Sequence, residues 1–270
     1  DDELGCQIQS SLPDQVKPLS YSLIDRTADI YAENIVFSLK GMTADIVTPF
    51  GFGKITSCLI GEFNLAKLLA GIAVVLLDGE QLEHVLKSVS RLMPVPGRMQ
   101  IVPLLSDEAA IDGGRPDNTQ LVGDIQVVVD YAHTEDALVR VLHSLRPHCS
   151  AKIWCVFGCG GDRDRGKRPL MGKVAHTLAD CIVVTSDNPR TEVPDQIIDD
   201  ILLGIDDLHS VYVIEDRRSA IEFAIMNANA GDLVLLAGKG HEQSQWIGER
   251  CLPFSDLDIA QQRLGARAAS

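Results

Sequence analysis

Residues 153–190 read IWCVFGCGGDRDRGKRPLMGKVAHTLADCIVVTSDNPR. The stretch opens on an apolar run, Ile153 to Phe157, whose length and composition suit a buried strand. Gly158, Gly160 and Gly161 follow, and then the charged cluster Asp162, Arg163, Asp164, Arg165, Lys167 and Arg168. Leu170 to Leu178 has helical spacing. A second apolar run, Cys181 to Thr185, ends in the polar turn Ser186-Asp187-Asn188-Pro189-Arg190. Strand, glycine turn, helix and strand in that order make a parallel βαβ unit. In open parallel sheets, ligands bind outside the carboxyl ends of the strands. Both charged loops follow strands, so both are expected on one crevice.

The same alternation extends outward. Upstream, Ile125 to Val129 reads as a strand ending in Asp130-Tyr131-Ala132-His133, with a helix over Ala137 to Leu145. Downstream come a helix over 194–203, a strand over 210–214, a helix over 218–229 and a strand over 233–236. That strand runs into Gly238-Lys239-Gly240-His241-Glu242, and a last helix follows near 256–264. From about residue 98 the pattern predicts a doubly wound, mostly parallel, Rossmann-like α/β sheet. Pro94-Val95-Pro96-Gly97-Arg98 is hinge material between two domains. Residues 99–125 lack apolar periodicity and read as an exposed loop joining two hairpin strands. Before the hinge, helices are expected over Leu65 to Leu77 and Leu82 to Leu92, with Asp78-Gly79 as a stop signal. Residues 1–60 suggest a small antiparallel region, with strands at 35–39 and 55–60 and Pro49, Gly51 and Gly53 as turn material.

Composition narrows the function. A length of 270 residues, 46% of them apolar, is ample for one large or two ordinary domains. No apolar run reaches membrane-spanning length, and the N-terminus lacks the pattern of a secretory signal. The net charge of −14 argues against a nucleic-acid surface. Against that acidic background, the basic cluster at 163–168 points to a small anionic ligand. Seven scattered cysteines without a C-x-x-C pair suit a reducing cytoplasm. The chain has no initiator Met and begins in acidic residues, as if cut from something longer.

Several frames compete for the glycine loop. Gly161 to Lys167 fits G-x-x-x-x-G-K, but Arg168 stands where a phosphate loop needs Ser or Thr. Gly158-Cys159-Gly160 starts a dinucleotide fingerprint, but Arg163 stands at its third glycine. A solvated charged turn is the plain alternative. The remaining frame is an anion or zwitterion site, with Arg163 able to fork onto a carboxylate. Asp187-Asn188-Pro189-Arg190 is a good turn on structural grounds alone. Functionally it presents a carboxylate, an amide and a guanidinium together, which suits a ligand with both ammonium and carboxylate groups. His133 lies beside Asp130, Glu135 and Asp136, and packing and catalysis both remain open for it. Glu242 could pair with an ammonium group.

At this point six stretches carry a family resemblance: GEFNLAKLLAG (61–71), PVPGRM (94–99), VVVDYAHTEDAL (127–138), VFGCGGDRDRGKRPLMG (156–172), VVTSDNPRTEVP (183–194) and LLAGKGHEQSQ (235–245). Together they resemble the Mur ligases, above all those members that add meso-2,6-diaminopimelate as the third residue of the peptidoglycan stem peptide. The resemblance implies an ATP-dependent amide-forming ligase with ATP and Mg²⁺ as cofactors. In such enzymes ATP phosphorylates the D-glutamate γ-carboxylate of UDP-N-acetylmuramoyl-L-alanyl-D-glutamate, and the incoming amine displaces phosphate from the acyl phosphate. It places Arg163, Asp187, Asn188, Pro189, Arg190, Gly238 and Glu242 in the diaminopimelate pocket. Asn64, Arg98, Asp130 and His133 fall around the nucleotide, the last three with catalytic roles. Arg190 distinguishes the diaminopimelate pattern from the lysine-adding one, because lysine lacks the distal carboxylate that a guanidinium would neutralise.

The chain also departs from the family pattern. It contains no G-T-N-G-K-T phosphate loop, no UDP-binding domain and no upstream lysine for metal binding, so it supplies no metal ligand of its own. Residues 1–97 resemble the tail of a central ATPase domain and 98–270 a whole C-terminal domain. The piece alone is expected to be inactive, cytoplasmic and monomeric, with small-molecule substrates and neither nucleic-acid nor membrane partners. Two other classes stay open: a non-catalytic module binding an amino acid or nucleotide, and an NAD-dependent oxidoreductase.

Overall fold

The computed structural model describes residues 3–13, 15–38, 40–103 and 125–269. The chain divides into two compact units, Asp1–Met93 and Pro94–Ser270. The first holds α1 (Glu3–Ser11), β1 (Tyr21–Ser22), β2 (Ile30–Ser38), β3 (Gly41–Thr48), β4 (Gly51–Ser57), α2 (Glu62–Leu77) and α3 (Leu82–Val89). Its four strands form one sheet in chain order. β1 is parallel to β2, and the other pairs are antiparallel. Strand alternation puts Ile30, Ala32, Met42, Ala44, Ile46 and Ile55 on one face, where they share a core with Leu65, Leu69, Ile72 and Val85. The antiparallel region anticipated over residues 1–60 is present, with two corrections. Gly41–Thr48 is a full strand between the two expected ones. Gly51 and Gly53 lie within β4 rather than in a turn, and a Cβ at Gly53 would press on the Leu86 side chain.

The second unit holds β5 (Gln100–Ile101), β6 (Gln126–Asp130), α4 (Glu135–Leu145), β7 (Ile153–Phe157), α5 (Lys167–Leu178), β8 (Cys181–Val184), α6 (Pro194–Leu202), β9 (Val211–Val213), α7 (Arg217–Asn227), β10 (Leu233–Ala237), β11 (Ser244–Ile247), β12 (Arg250–Pro253) and α8 (Asp256–Ala268). The main sheet has the order β5-β6-β10-β7-β8-β9, and β5 is the antiparallel edge. The other five strands run parallel. Val127, Val129, Trp154, Val156, Val183, Val234 and Leu236 face α7 and α8 across one core. The intervening residues, such as Val128, Cys155, Phe157, Val184 and Leu235, are equally buried on the other face. α4, α5 and α6 pack in series, as do α7 and α8, so the doubly wound expectation holds. Burial of both faces explains why these strands read as unbroken apolar runs.

Helix starts are fixed by side chains. Thr134, Asp216 and Ser255 accept N–H groups of Ala137, Ser219 and Asp258, each worth about 1 kcal/mol. α5 begins at Lys167, three residues before the apolar spacing suggested, with Pro169 in its first turn. β11 and β12 form a separate hairpin that apolar periodicity did not show. Of the loop expected over 99–125, residues 104–124 lie outside the described residues.

Two ion-pair systems brace the unit. Arg217 is fully buried and donates Nε and Nη2 to the Asp256 carboxylate at 2.8 and 2.6 Å. Its Nη2 also reaches Ala237 O at 2.9 Å, so α7, α8 and the end of β10 meet at one guanidinium. The second system joins the glycine loop to α5 and α6. Arg168, also fully buried, grips Glu192 at 2.8 and 3.0 Å and Asp200 at 2.9 Å. Glu192 accepts the Asp162 N–H as well.

Asp256→Ala would strand a buried guanidinium and is expected to cost about 3–5 kcal/mol. The urea midpoint read from Trp154 and Trp246, the two tryptophans of the chain, would fall accordingly, since both lie in this unit. Arg217→Met with Asp256→Leu should recover most of the loss. The Arg168 hydrogen bonds, helped by the Asp162 N–H and by Arg165, outweigh burial and hold the Glu192 carboxyl down to about 2 from its ordinary 4.5. Because the folded value lies below the unfolded one, this stabilisation is complete above about pH 4.5 and fades as pH falls toward 2. Glu192→Gln should therefore flatten the stability–pH profile in that window.

Candidate functional site

Because β6, β10, β7 and β8 are parallel, their carboxyl ends share one edge of the sheet. The loops after them are stitched together there. Gly238 N donates to Asp130 O at 3.1 Å, Thr185 N to Phe157 O at 2.9 Å and Gly161 N to Asn188 O at 2.9 Å. A Cβ at Gly158 or Gly161 would collide with the carbonyl of Thr185 or Pro189. These glycines are therefore required by chain-to-chain approach. That approach accounts for the partial phosphate-loop and dinucleotide frames without an open cradle for phosphate.

The centre of the site is Lys239, whose side chain is fully buried. Its Nζ lies 3.3 Å from Asp187 Oδ1, 3.0 Å from Asn188 Oδ1 and 3.1 Å from Glu242 Oε2. Asn188 Nδ2 donates to the same Glu242 oxygen at 2.9 Å. Burial works against ionisation of Glu242, but the Asn188 hydrogen bond and the charges of Lys239 and Arg190 outweigh it, so its carboxyl titrates below the ordinary range. Gly238 has φ 113, and a Cβ there would sit 3.1 Å from Asp187 Oδ2.

Arg190 lies beside this cluster. Its Nη1 donates to Gly161 O at 2.7 Å. A Cβ at Gly160 would stand 3.0 Å from that nitrogen and 3.7 Å from Arg163 Cγ, so both arginines stand over Gly160. Arg163 is exposed, whereas Asp187, Asn188 and Pro189 are buried. Arg190 has φ 52, in the left-handed region that costs a non-glycine residue about 1 kcal/mol or more. The β11–β12 hairpin holds it there through a parallel bridge with Ile247: Arg190 N donates to Trp246 O at 3.1 Å, and Gly248 N to Arg190 O at 2.6 Å. Gln245 Nε2 donates to Asp187 O at 2.7 Å, and Trp246 N to Asn188 Oδ1 at 3.0 Å. Two cations, Lys239 and Arg190, thus stand among two carboxylates, Asp187 and Glu242. Such balanced charge suits a zwitterion.

The residues expected around a nucleotide divide into two groups. Asp130 is buried, and its oxygens accept the N–H groups of Met99 at 2.7 Å and Ala132 at 2.8 Å. The Arg98 guanidinium stacks 4.4 Å from the Tyr131 ring centre, and the His133 ring meets Tyr131 edge-on at 4.6 Å. His133 Nδ1 lies 2.9 Å from Tyr131 O. A carbonyl only accepts, so Nδ1 carries the proton and Nε2 of a neutral ring is left as an acceptor. Lys167 Nζ reaches His133 O at 2.8 Å. Asn64 belongs to the first unit, where its Nδ2 donates to Ile60 O at 2.7 Å.

Sequence reasoning placed Lys239 in a strand-end loop without giving it a role, and it passed over Gln245 and the hairpin. A signal for the hairpin was present: Gly248-Glu249 separates the paired runs Ser244–Ile247 and Arg250–Pro253, and Gly followed by any residue is a two-residue hairpin turn. Among the described residues, no three His, Cys, Asp or Glu side chains gather as a metal site.

Known proteins similar to this chain include Mur ligases. Residues 114–240 match the model for the Mur ligase, glutamate ligase domain. The UDP-N-acetylmuramoyl-L-alanyl-D-glutamate–2,6-diaminopimelate ligase of Trichormus variabilis is 43% identical over 99% of this chain and 51% of its own length. The ligase of the same name from Gloeobacter violaceus is 45% identical over 99% of this chain and 50% of its own. A solved structure of a ligase with that name superposes with a TM-score of 0.70 at 40% identity, covering 98% of this chain and 51% of the other. The chain therefore spans about half the length of the curated relatives it matches. Residues 114–240 thus match a Mur ligase domain, and over nearly its whole length the chain is similar to about half of a Mur ligase.

Proposed function

We propose that this chain is the amino-acid-binding half of an ATP-dependent amide ligase of peptidoglycan synthesis. That ligase joins meso-2,6-diaminopimelate to UDP-N-acetylmuramoyl-L-alanyl-D-glutamate through an acyl phosphate. The observation that carries the reading is the Arg190 guanidinium over Gly160, with the stem of Arg163 next to it, beside the Lys239–Asn188–Glu242 cluster. Diaminopimelate bears two ammonium–carboxylate pairs. The guanidiniums would take its distal carboxylate, and Asp187 and Glu242 would face ammonium groups. Gripping one end so tightly leaves the other amine oriented toward the activated acyl group, which converts a bimolecular attack into an effectively intramolecular one.

Residues 98–270 would be the C-terminal domain, and residues 1–97 the end of a central ATP-binding domain that includes Asn64. Arg98 on Tyr131, with His133 next to them, would offer the nucleotide a cationic and aromatic edge; Asp130 would fix that edge through Met99 and Ala132. When bound, ATP supplies the phosphoryl group that activates the carboxylate. The Mg²⁺ that the family implies does not fit the described residues by themselves, since no three suitable side chains converge. All pocket residues come from one unit, so a single copy is enough to bind the amino acid. Cys149, Cys155, Cys159 and Cys181 are buried free thiols, which supports a cytoplasmic setting. No helix among the described residues is long and apolar enough to cross a membrane.

Calorimetry on the full chain tests the reading. Meso-diaminopimelate should bind more tightly than L-lysine. Arg190→Ala should weaken diaminopimelate about tenfold to a hundredfold, the worth of a charged hydrogen-bonded contact, and leave lysine unchanged. Equal or tighter binding of lysine by the unaltered chain would refute it.

A further inference from the structure

The β11–β12 hairpin stands outside the main sheet and exposes much of its own surface. Trp246, Ile247 and Leu252 are each 44% exposed. Little apolar burial holds it, yet it bonds to three of the four residues of the Asp187–Arg190 turn: Gln245 to Asp187, Trp246 to Asn188, and Trp246 with Gly248 to Arg190. Both backbone groups of Arg190 are taken by the hairpin. Arg190 is also the residue of that turn with a left-handed backbone, a conformation that persists in a non-glycine residue only when its surroundings enforce it.

We infer that the hairpin is a specificity-determining clamp and that Gly248 is a positioning residue acting through Arg190. The inference rests on the diaminopimelate reading above and deepens it. The hairpin fixes the Arg190 backbone, and the backbone sets the guanidinium over Gly160 and Gly161. Selectivity for a second carboxylate thus depends on a turn whose tip bears none of the pocket side chains. Gly248 has φ 58, and a Cβ there would meet nothing within 4 Å. Substitution at this position therefore acts through backbone conformation rather than through a clash. Valine is poorly suited to that φ, whereas asparagine is among the residues that adopt it in hairpin turns.

The test compares the unaltered full chain with Gly248→Val and Gly248→Asn by calorimetry against meso-diaminopimelate and L-lysine. Hydrogen exchange over residues 187–191 is measured on the same proteins without ligand. Gly248→Val should weaken diaminopimelate about tenfold, leave lysine unchanged and speed exchange in that segment, and Gly248→Asn should restore all three toward the unaltered values. Unchanged diaminopimelate binding by Gly248→Val, or an equal loss for both ligands, would overturn the clamp while leaving the ligase reading intact. An unaltered chain that does not favour diaminopimelate over lysine would overturn that reading and the clamp's role in selectivity with it. The exchange data would still report whether the hairpin holds the turn.

Discussion

The site depends on one buried ammonium. Lys239 has no exposed surface and touches Asp187, Asn188 and Glu242, which come from two loops more than fifty residues apart in sequence. A lysine withdrawn from water is tolerable only where opposing charge and hydrogen bonds replace its hydration. The two carboxylates therefore cannot drift away from it cheaply, nor it from them. That mutual requirement holds the turn after β8 against the loop after β10. It fixes the directions in which the Asn188 and Glu242 side chains point.

Support for that centre comes from below and from the side. Below it, Arg217 and Asp256 tie the last residue of β10 to the starts of α7 and α8, so the Gly238–Lys239 segment leaves a strand end that cannot shift alone. To the side, Arg168 and Glu192 tie the glycine loop to the turn that carries Arg190. Neither pair would touch a small ligand in the pocket. Each converts burial that would otherwise be costly into a constraint on where Arg190 and the Lys239 cluster stand.

The glycine-rich loop shows how one sequence pattern can serve two physical ends. Glycines after a strand often leave room for a phosphate. Here Gly158 and Gly161 leave room for the carbonyls of Thr185 and Pro189. The close approach of two backbones brings Arg163 and Arg190 over the same point, Gly160. The loop thus sets the Arg190 guanidinium and the stem of Arg163 over a glycine rather than leaving amide N–H groups open to a phosphate.

Much of this was legible before any coordinates. Apolar runs of strand length alternating with helical spacing determined the parallel sheet. Parallel strands oblige the Asp130, Gly158, Asp187 and Gly238 loops to one edge, because every strand points the same way. The charge types in those loops pointed to a site with carboxylate, amide and cationic groups side by side. Only the tertiary structure decided that β10, the last of the sheet's strands in sequence, lies between β6 and β7, which sets Lys239 at the centre. Strand order follows from how helices pack on two faces, and local patterns do not record it. The left-handed backbone of Arg190 and the hairpin that enforces it were likewise beyond the sequence, because both come from hydrogen bonds between segments far apart in the chain.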